Sequence, residues 1–511
     1  MFRFGLEMGI SRSLNGNLQK LPPSSFRRFG RALLLVFSIL PGNLIPASAQ
    51  VSGTSASYQA SPPVGVQPGT SLAGQGQQSS FSGSVPEGKV TPGVLPLSFA
   101  DAIQRGLRQN LGVLLSRENT LAARGQKWKD LSDLLPNVTT RTTETVQQQS
   151  LAALGFRLPG VPRVIGPFSY LDTRAYWTQS LFNLKSIDQE HSAVQNLKAA
   201  QYNYRDAREL VVFAVGNAYL QALAGAARVD TAEAQVKTGQ ALHNKAVDQQ
   251  KAGVTPAIDA LRAQVELQTR QQQLIVARND YAKQKLALAR VIGLPLGQEF
   301  ALTDKAPYEP LSAPGLDESL RRAYTSRSDY RAGLSRVRVA ELARKAAAAG
   351  YYPSADLQAD YGDIGINPAT SNGTFHVAGT VTIPLFQGGK VHGDVLQAEA
   401  SLQQTRSQLE DLSGRIDNEV RTALLDLSAA AEQVEVARSS VDLAQQTLSQ
   451  AQDRFSAGVA DNLEVIQAQE AVASANENYI SSLYAHNLAK VSYARAIGYA
   501  EEGVKQYLKG K

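Results

Sequence analysis

The sequence predicts an internally duplicated α+β membrane protein in which very long coiled-coil helices carry four strands per chain. Three observations predict it. The stretch KAGVTPAIDALRAQVEL at 251–267 has a looser echo in SAGVADNLEVIQAQEAV at 456–472. In that register Ile292-Gly293 also falls on Ile497-Gly498, at an offset of 205 residues. Long Pro-free segments repeat their apolar residues every three or four positions, and between them lie short segments alternating with period two.

In chain order, the first 49 residues read as a secretory signal: Arg27, Arg28 and Arg31 precede ALLLVFSIL, and Ala47-Ser48-Ala49 offers a small-residue cleavage site. Five of the formal +6 charges lie there (six basic residues against Glu7), which leaves about +1 for the remainder. The high isoelectric point is therefore no argument for nucleic acid. Residues 50–95, rich in Ser, Gly, Gln and Pro, are expected to form a disordered leader. The chain has no cysteine, hence no disulfide framework, thiolate metal site or acylated cysteine.

Each half then reads helix, Pro stop, two strands, a very long helix, a hairpin tip and a returning helix. The first repeat spans 96–300, a linker 301–318, the second repeat 319–500 and a tail 501–511. The Pro stops are Leu135-Pro136 and Tyr352-Pro353. From Leu412 the apolar positions run Ile416, Val420, Leu424, Leu427, Ala431, Val434, Ala437, Val441, Ala444, Leu448, Ala451 and Phe455. Their mean step of about 3.5 is a coiled-coil seam. With no Pro from 391 to 455, this helix would be on the order of 100 Å long. One uncharged run, Leu210–Ala227, is long enough to raise a membrane helix. It carries Asn217 and Gln221 on one face, and its counterpart holds Asp417, Glu419, Arg421 and Asp426; equivalent segments should share an environment, so a membrane helix is rejected.

In TFHVAGTVTIPLF (374–386), Phe375, Val377, Val381, Ile383 and Leu385 alternate with Thr374, His376, Thr380 and Thr382. SADLQADYGDI (354–364) alternates likewise, LDTRAYWTQSLF (171–182) more loosely and NVTTRTTETVQQ (137–148) barely. One apolar and one polar face suits a membrane β-barrel with a wet lumen, and a soluble sandwich as well. Four strands cannot close a barrel in lipid, because open edges leave unpaired backbone groups. Copies of the chain would have to complete it, and duplication with cyclic assembly supplies a quasi-symmetric ring. Trp177, Tyr170 and Tyr176 fit either an interfacial aromatic girdle or ordinary packing. The Pro/Gly-rich segment 154–168 is expected as an extracellular loop.

SAGVADNLEVIQAQEAVASA, the closing YARAIG, the LFQGGK junction and the LSFADAIQRGLRQN start resemble the TolC-type outer membrane efflux proteins over roughly residues 96–500. That resemblance implies a homotrimer whose strands form a 12-stranded outer-membrane β-barrel in contact with lipid, above a 12-helix periplasmic α-barrel. It implies a passive exit duct of a tripartite efflux or type I secretion system. The duct would dock tip-to-tip on a periplasmic adaptor protein and serve an inner-membrane pump indirectly. A non-channel coiled-coil adaptor or envelope spacer is the alternative; it leaves the matched strand pairs unexplained.

The tips Ala252-Gly253-Val254 and Ala457-Gly458-Val459 need Gly for a tight turn, and by resemblance also meet the adaptor. The family carries two acidic residues three apart on the helix after the second tip. Here Glu464 and Gln467 stand there, so three Glu464 carboxylates would form one cation-attracting ring rather than two. The alternative is a solvated glutamate. The first-hairpin equivalents, Asp259 and Arg262, are placed to pair. Relatives lock the aperture with a Tyr and an Arg where this chain has Phe455 and Ala460. Five scattered histidines, with no phosphate loop, dinucleotide fingerprint or nucleophile elbow, give no enzyme, cofactor or metal reading.

Overall fold

The computed structural model describes residues 81–153, 155, 159–304, 308–311, 313–460 and 462–507. The signal segment 1–49 and the leader as far as residue 80 lie outside the described residues. From Phe81 onward the expected leader is not free. Phe81 packs against Gly112, where a Cβ would strike its ring at 2.3 Å, and the Val85 N–H donates to the Gln109 carbonyl. Leu95–Leu97 forms a short strand β1, parallel to Phe300–Leu302, and Leu97 is buried. This strap is held by backbone pairing to residues some 200 positions away, which a composition argument does not see.

After β1 come α1 (Phe99–Gln109) and α2 (Leu111–Ser132), separated at Asn110. The Asn110 side chain caps α2 through the Gly112 N–H and donates to the carbonyls of Phe81 and Val291, so one buried amide ends one helix and starts the next. Strands β2 (Asn137–Ser150) and β3 (Val164–Phe182) follow, then α3 (Leu184–Lys251), α4 (Ala257–Ile292) and β4 (Phe300–Leu302). The second half repeats the order with α5 (Leu316–Ser326), α6 (Ser328–Ala348), β5 (Ser354–Gly365), β6 (Asn372–Thr382), α7 (Lys390–Ser456) and α8 (Asn462–Ala496), and ends in α9 (Ala500–Tyr507). At 68 and 67 residues, α3 and α7 each extend about 100 Å.

Helix α2 packs against α3, and α6 against both α3 and α7; α4 packs against α3, and α8 against α7 and α3. The predicted seam of α7 is buried at Leu412, Ile416, Val420, Leu427, Val434, Ala437, Val441, Ala451 and Phe455. It slips by one residue at Ala423 and Ala430, in place of Leu424 and Ala431, as a 3.6-residue helix drifts against a 3.5-residue repeat. Helix α3 contains a window long and apolar enough to cross a membrane, half of it buried. There Val211, Val212, Val215 and Tyr219 sit in a core with Ile103, Leu288, Ile292 and Val491, and Asn217 and Gln221 both hydrogen-bond the Tyr484 hydroxyl.

The four long strands form one antiparallel sheet in the order β2-β3-β5-β6, with β2 and β6 at open edges. Two expectations change here. The segment expected as a loop to residue 168 becomes strand from Val164, pairing with Ser150. Strand β6 stops at Thr382, so Ile383 and Leu385 lie outside the alternation.

Candidate functional site

Two places gather the chemistry: the hairpin tips and the two faces of the sheet. At the first tip Ala252 is the helix C-cap and Gly253 has φ 72°. The Gly253 N–H donates to the Gln250 carbonyl and the Val254 N–H to that of Gln249, both at 3.0 Å. At the second, Gly458 has φ 73°, and the N–H groups of Gly458 and Val459 donate to the carbonyls of Phe455 and Arg454 at 3.1 and 3.0 Å. This crossed pair of bonds is a Schellman motif, whose left-handed residue is cheap only for glycine. The turn throws the next side chain outward: Val254 is 71% exposed and Val459 68%.

Behind the tips, Leu242, Ala246, Ala260, Ala263, Ala451, Phe455, Val465 and Ala468 form one apolar cluster. Phe455 is a core group here, so its ring needs no hydroxyl. Lys245 reaches across from α3, its Nζ 5.5 Å from the Phe455 centroid and donating to Ser456 Oγ at 2.6 Å. Asn462, fully buried, donates Nδ2 to the Asp259 carbonyl at 3.1 Å. These contacts fasten the two hairpins to each other. Asn462 and Lys245 were not singled out from sequence; the signal for Asn462 was its departure from the repeat, which has Ala257 at that position.

Of the residues expected at an aperture, Asp259 is buried and lies 3.5 Å from the exposed Arg262. Glu464 Oε1 lies 3.4 Å from Arg454 Nε, across the second tip, and Gln467 is exposed one turn further on. Deeper in the hairpins a buried Glu266–Arg270 pair at 2.5 Å borders a groove of about 800 Å³ between α3, α4 and α8, lined also by Arg228 and Glu477. Further up, Arg495 holds Asp206 and Glu209 while Arg327 holds Asp329 and Glu419. Burial, with Asp206 and Asp329 nearby, raises the Glu209 carboxyl to about 7 against the pull of Arg495.

The sheet has two unlike faces, because alternate residues and their register partners share a side. One face carries Val138, Ala175, Trp177, Leu357, Ala359, Tyr361, Phe375, Val377 and Val381. Its apolar groups are open, Phe375 being 77% exposed. The other carries Thr139, Arg141, Asp172, Arg174, Thr178, Gln358, Asp360, Thr374 and His376. Trp177 stands on the apolar face, whereas Tyr170 and Tyr176 stand on the polar one, so the three do not form one girdle. Arg174 Nε lies 2.8 Å from Asp172 and Nη1 2.6 Å from Asp360, while Nη2 donates to Thr374 at 2.8 Å, so it ties β3, β5 and β6 together. This network was not read from sequence, because its partners are up to 200 residues apart.

The family model described as Outer membrane efflux protein matches residues 177–294 and 320–499. The toluene efflux pump outer membrane protein TtgF of Pseudomonas putida is 24% identical over 418 residues, covering 78% of this chain and 84% of TtgF. The alkaline protease secretion protein AprF of Pseudomonas aeruginosa is 24% identical over 329 residues, 62% of this chain and 67% of AprF. Among solved structures, the outer membrane protein VceC of Vibrio cholerae superposes with a TM-score of 0.67 at 18% identity, covering 78% of this chain and 96% of that one.

Proposed function

The chain belongs to the outer membrane efflux protein family, and from that premise we propose that three copies close their four-stranded sheets into one 12-stranded barrel. The protein is an outer-membrane exit duct, and its family consists of channels rather than enzymes. The observation that carries the trimeric reading is the open sheet itself. Among the described residues its edges, β2 and β6, are unpaired, and one of its faces is apolar and exposed. In lipid such edges must pair, and a neighbour's β6 against β2 is the pairing that closes a ring.

In this reading the repeats 96–300 and 319–500, joined by 301–318, each contribute one hairpin to a periplasmic tube. The tips at Val254 and Val459 present small apolar contacts to a periplasmic adaptor. Glu464, with Gln467 one turn on, forms an acidic ring at the aperture, and Asp259 and Arg262 stand beside it. The relatives' names span toluene efflux and protease secretion, which fits a passive duct whose cargo is chosen by the pump behind it.

Planar-bilayer conductance of the purified mature protein beside Glu464→Ala tests the reading. Discrete channels whose cation preference falls in the variant are the expected result. Channels unchanged by the substitution remove Glu464 from the ring, and a protein that neither inserts nor migrates as a heat-modifiable trimer overturns the trimeric barrel.

A further inference from the structure

The polar face of the sheet carries a charge arrangement that neither family membership nor the duct reading requires. Arg141 on β2 and Arg174 on β3 are register partners, two like charges directly opposite each other. Such a pair is destabilising unless one charge is neutralised. Arg174 is neutralised. It is held by Asp172 and Asp360 and lies flat over Gly362, where a Cβ would stand 2.4 Å from its Cγ. Its charge is spent on the wall, and little of it projects.

Arg141 is held differently. Its guanidinium sits 5.6 Å from the Tyr176 ring centroid, and it is exposed. Among the described residues no carboxylate lies within ion-pair distance of it. Glu144, three residues on, points to the opposite face. On the polar face the formal charges are Arg141 and Arg174 against Asp172, Asp356 and Asp360, a net of −1 per protomer with His376 neutral. Arg141 is the cation of that set whose field reaches the lumen uncompensated.

We propose that Arg141 is a specificity-determining residue of the duct, a lumenal cation that keeps the barrel section passable to anionic solutes. This rests on the closed trimeric barrel proposed above, in which the polar face lines the lumen. Three copies then set the wall at −3; replacing Arg141 by Glu subtracts two charges per protomer and sets it at −9. A field of that sign and size in a water-filled passage selects for cations.

The test is the reversal potential of single channels in a tenfold KCl gradient at low ionic strength, where screening is weakest. Arg141→Glu is expected to raise the K⁺ to Cl⁻ permeability ratio about twofold or more, with Arg141→Lys close to the wild type. Glu144→Gln, a charge change on the outward face of the same strand, is expected to leave the ratio unchanged. An Arg141→Glu channel with the wild-type ratio, in a protein that still migrates as a heat-modifiable trimer, overturns the assignment and leaves the duct standing. An equal shift from Glu144→Gln also overturns it, since the effect would then not be lumenal. Wild-type protein that forms neither trimer nor channel overturns both readings together.

Discussion

At the same register of the returning helices, the first half carries Tyr281 and Lys285 and the second carries His486 and Lys490. Both pairs are an aromatic ring and a lysine one helical turn apart, yet their surroundings are opposite. Lys285 is half-buried with its Nζ 5.1 Å from the Tyr281 ring and 5.8 Å from that of Phe300, a cation resting on aromatic faces. Lys490 is 1% exposed. His486 beside it is fully buried under the Tyr308 ring, and among the described residues neither of its ring nitrogens has a hydrogen-bond partner. Burial pushes Lys490 down to about 8 against the pull of Glu309, and burial with Lys490 pushes His486 down to about 4. The duplication has kept the backbone and the residue spacing, while each half has its own electrostatics, set by what lies across it.

The same divergence appears on the long helices, where it is largest. Val212 and Gly216 of α3 are buried in the first core, and Gly216 leaves room for Val491, whose Cγ1 would sit 3.4 Å from an added Cβ. At an offset of 205, α7 has Asp417 and Arg421, an exposed ion pair at 2.9 Å. Transplanting that pair into the first half as Val212→Asp with Gly216→Arg puts two charges and a long side chain into a filled core. The expected loss is about 4 kcal/mol or more of stability, with failure to fold as the extreme. The reverse change, Asp417→Val with Arg421→Ala, removes a surface pair worth about 1 kcal/mol or less. Thermal unfolding of both doubles checks this, and equal losses would mean that the two halves share one environment after all.

The lysine pair comes next. Lys490 is expected to titrate lower folded than unfolded, so the folded state carries the penalty of a buried charge wherever both states are protonated, below about pH 8. The penalty is relieved as pH rises from about 8 toward the ordinary 10.5, where the unfolded chain binds more protons than the folded one. Lys490→Met is therefore expected to stabilise the protein at pH 7 by on the order of 3 kcal/mol, and by less at pH 10. Lys285→Met, which forfeits a half-exposed cation–ring contact, is expected to cost about 0.5–1 kcal/mol at either pH. Denaturant unfolding at the two pH values separates these cases. A destabilised Lys490→Met at pH 7 would show that Lys490 makes a compensating bond worth more than its burial costs.

The difference between what the sequence revealed and what it hid follows the range of the interactions. Local periodicity located the α7 seam from Leu412 to Phe455, the tip glycines and the alternation in β5 and β6, because each depends on neighbours within a few residues. The docked strap at 81–97 rests on three parallel pairs with β4 and on Asn110, and its composition is that of a disordered leader. Tyr176 could not be assigned to a face until the register with Thr139 and Asp360 was known, since a one-residue slip exchanges the faces. The joint between Asn462 and the Asp259 carbonyl spans 203 residues and involves a backbone acceptor, which no side-chain motif announces. The pairing of Glu464 with Arg454 was missed for another reason: it crosses the turn, and helix-face reasoning looks only along one helix.

The tips are where the halves should agree, and there the expected effects are smallest. Gly253 and Gly458 differ by one degree in φ, make the same two crossed hydrogen bonds, and have open space where a Cβ would point. Gly253→Ala and Gly458→Ala are thus free of steric clash, and each loses only the backbone preference for a left-handed residue, about 1 kcal/mol. Their flanking charges differ, with Asp259 and Arg262 along one helix at the first tip and Arg454 and Glu464 across the turn at the second. Equal losses on unfolding would show that the turn is governed by the backbone alone. A loss at Gly458 larger by more than about 0.5 kcal/mol would mean that moving the second turn also breaks the Arg454–Glu464 pair, and so couples the tip to the Glu464 charge.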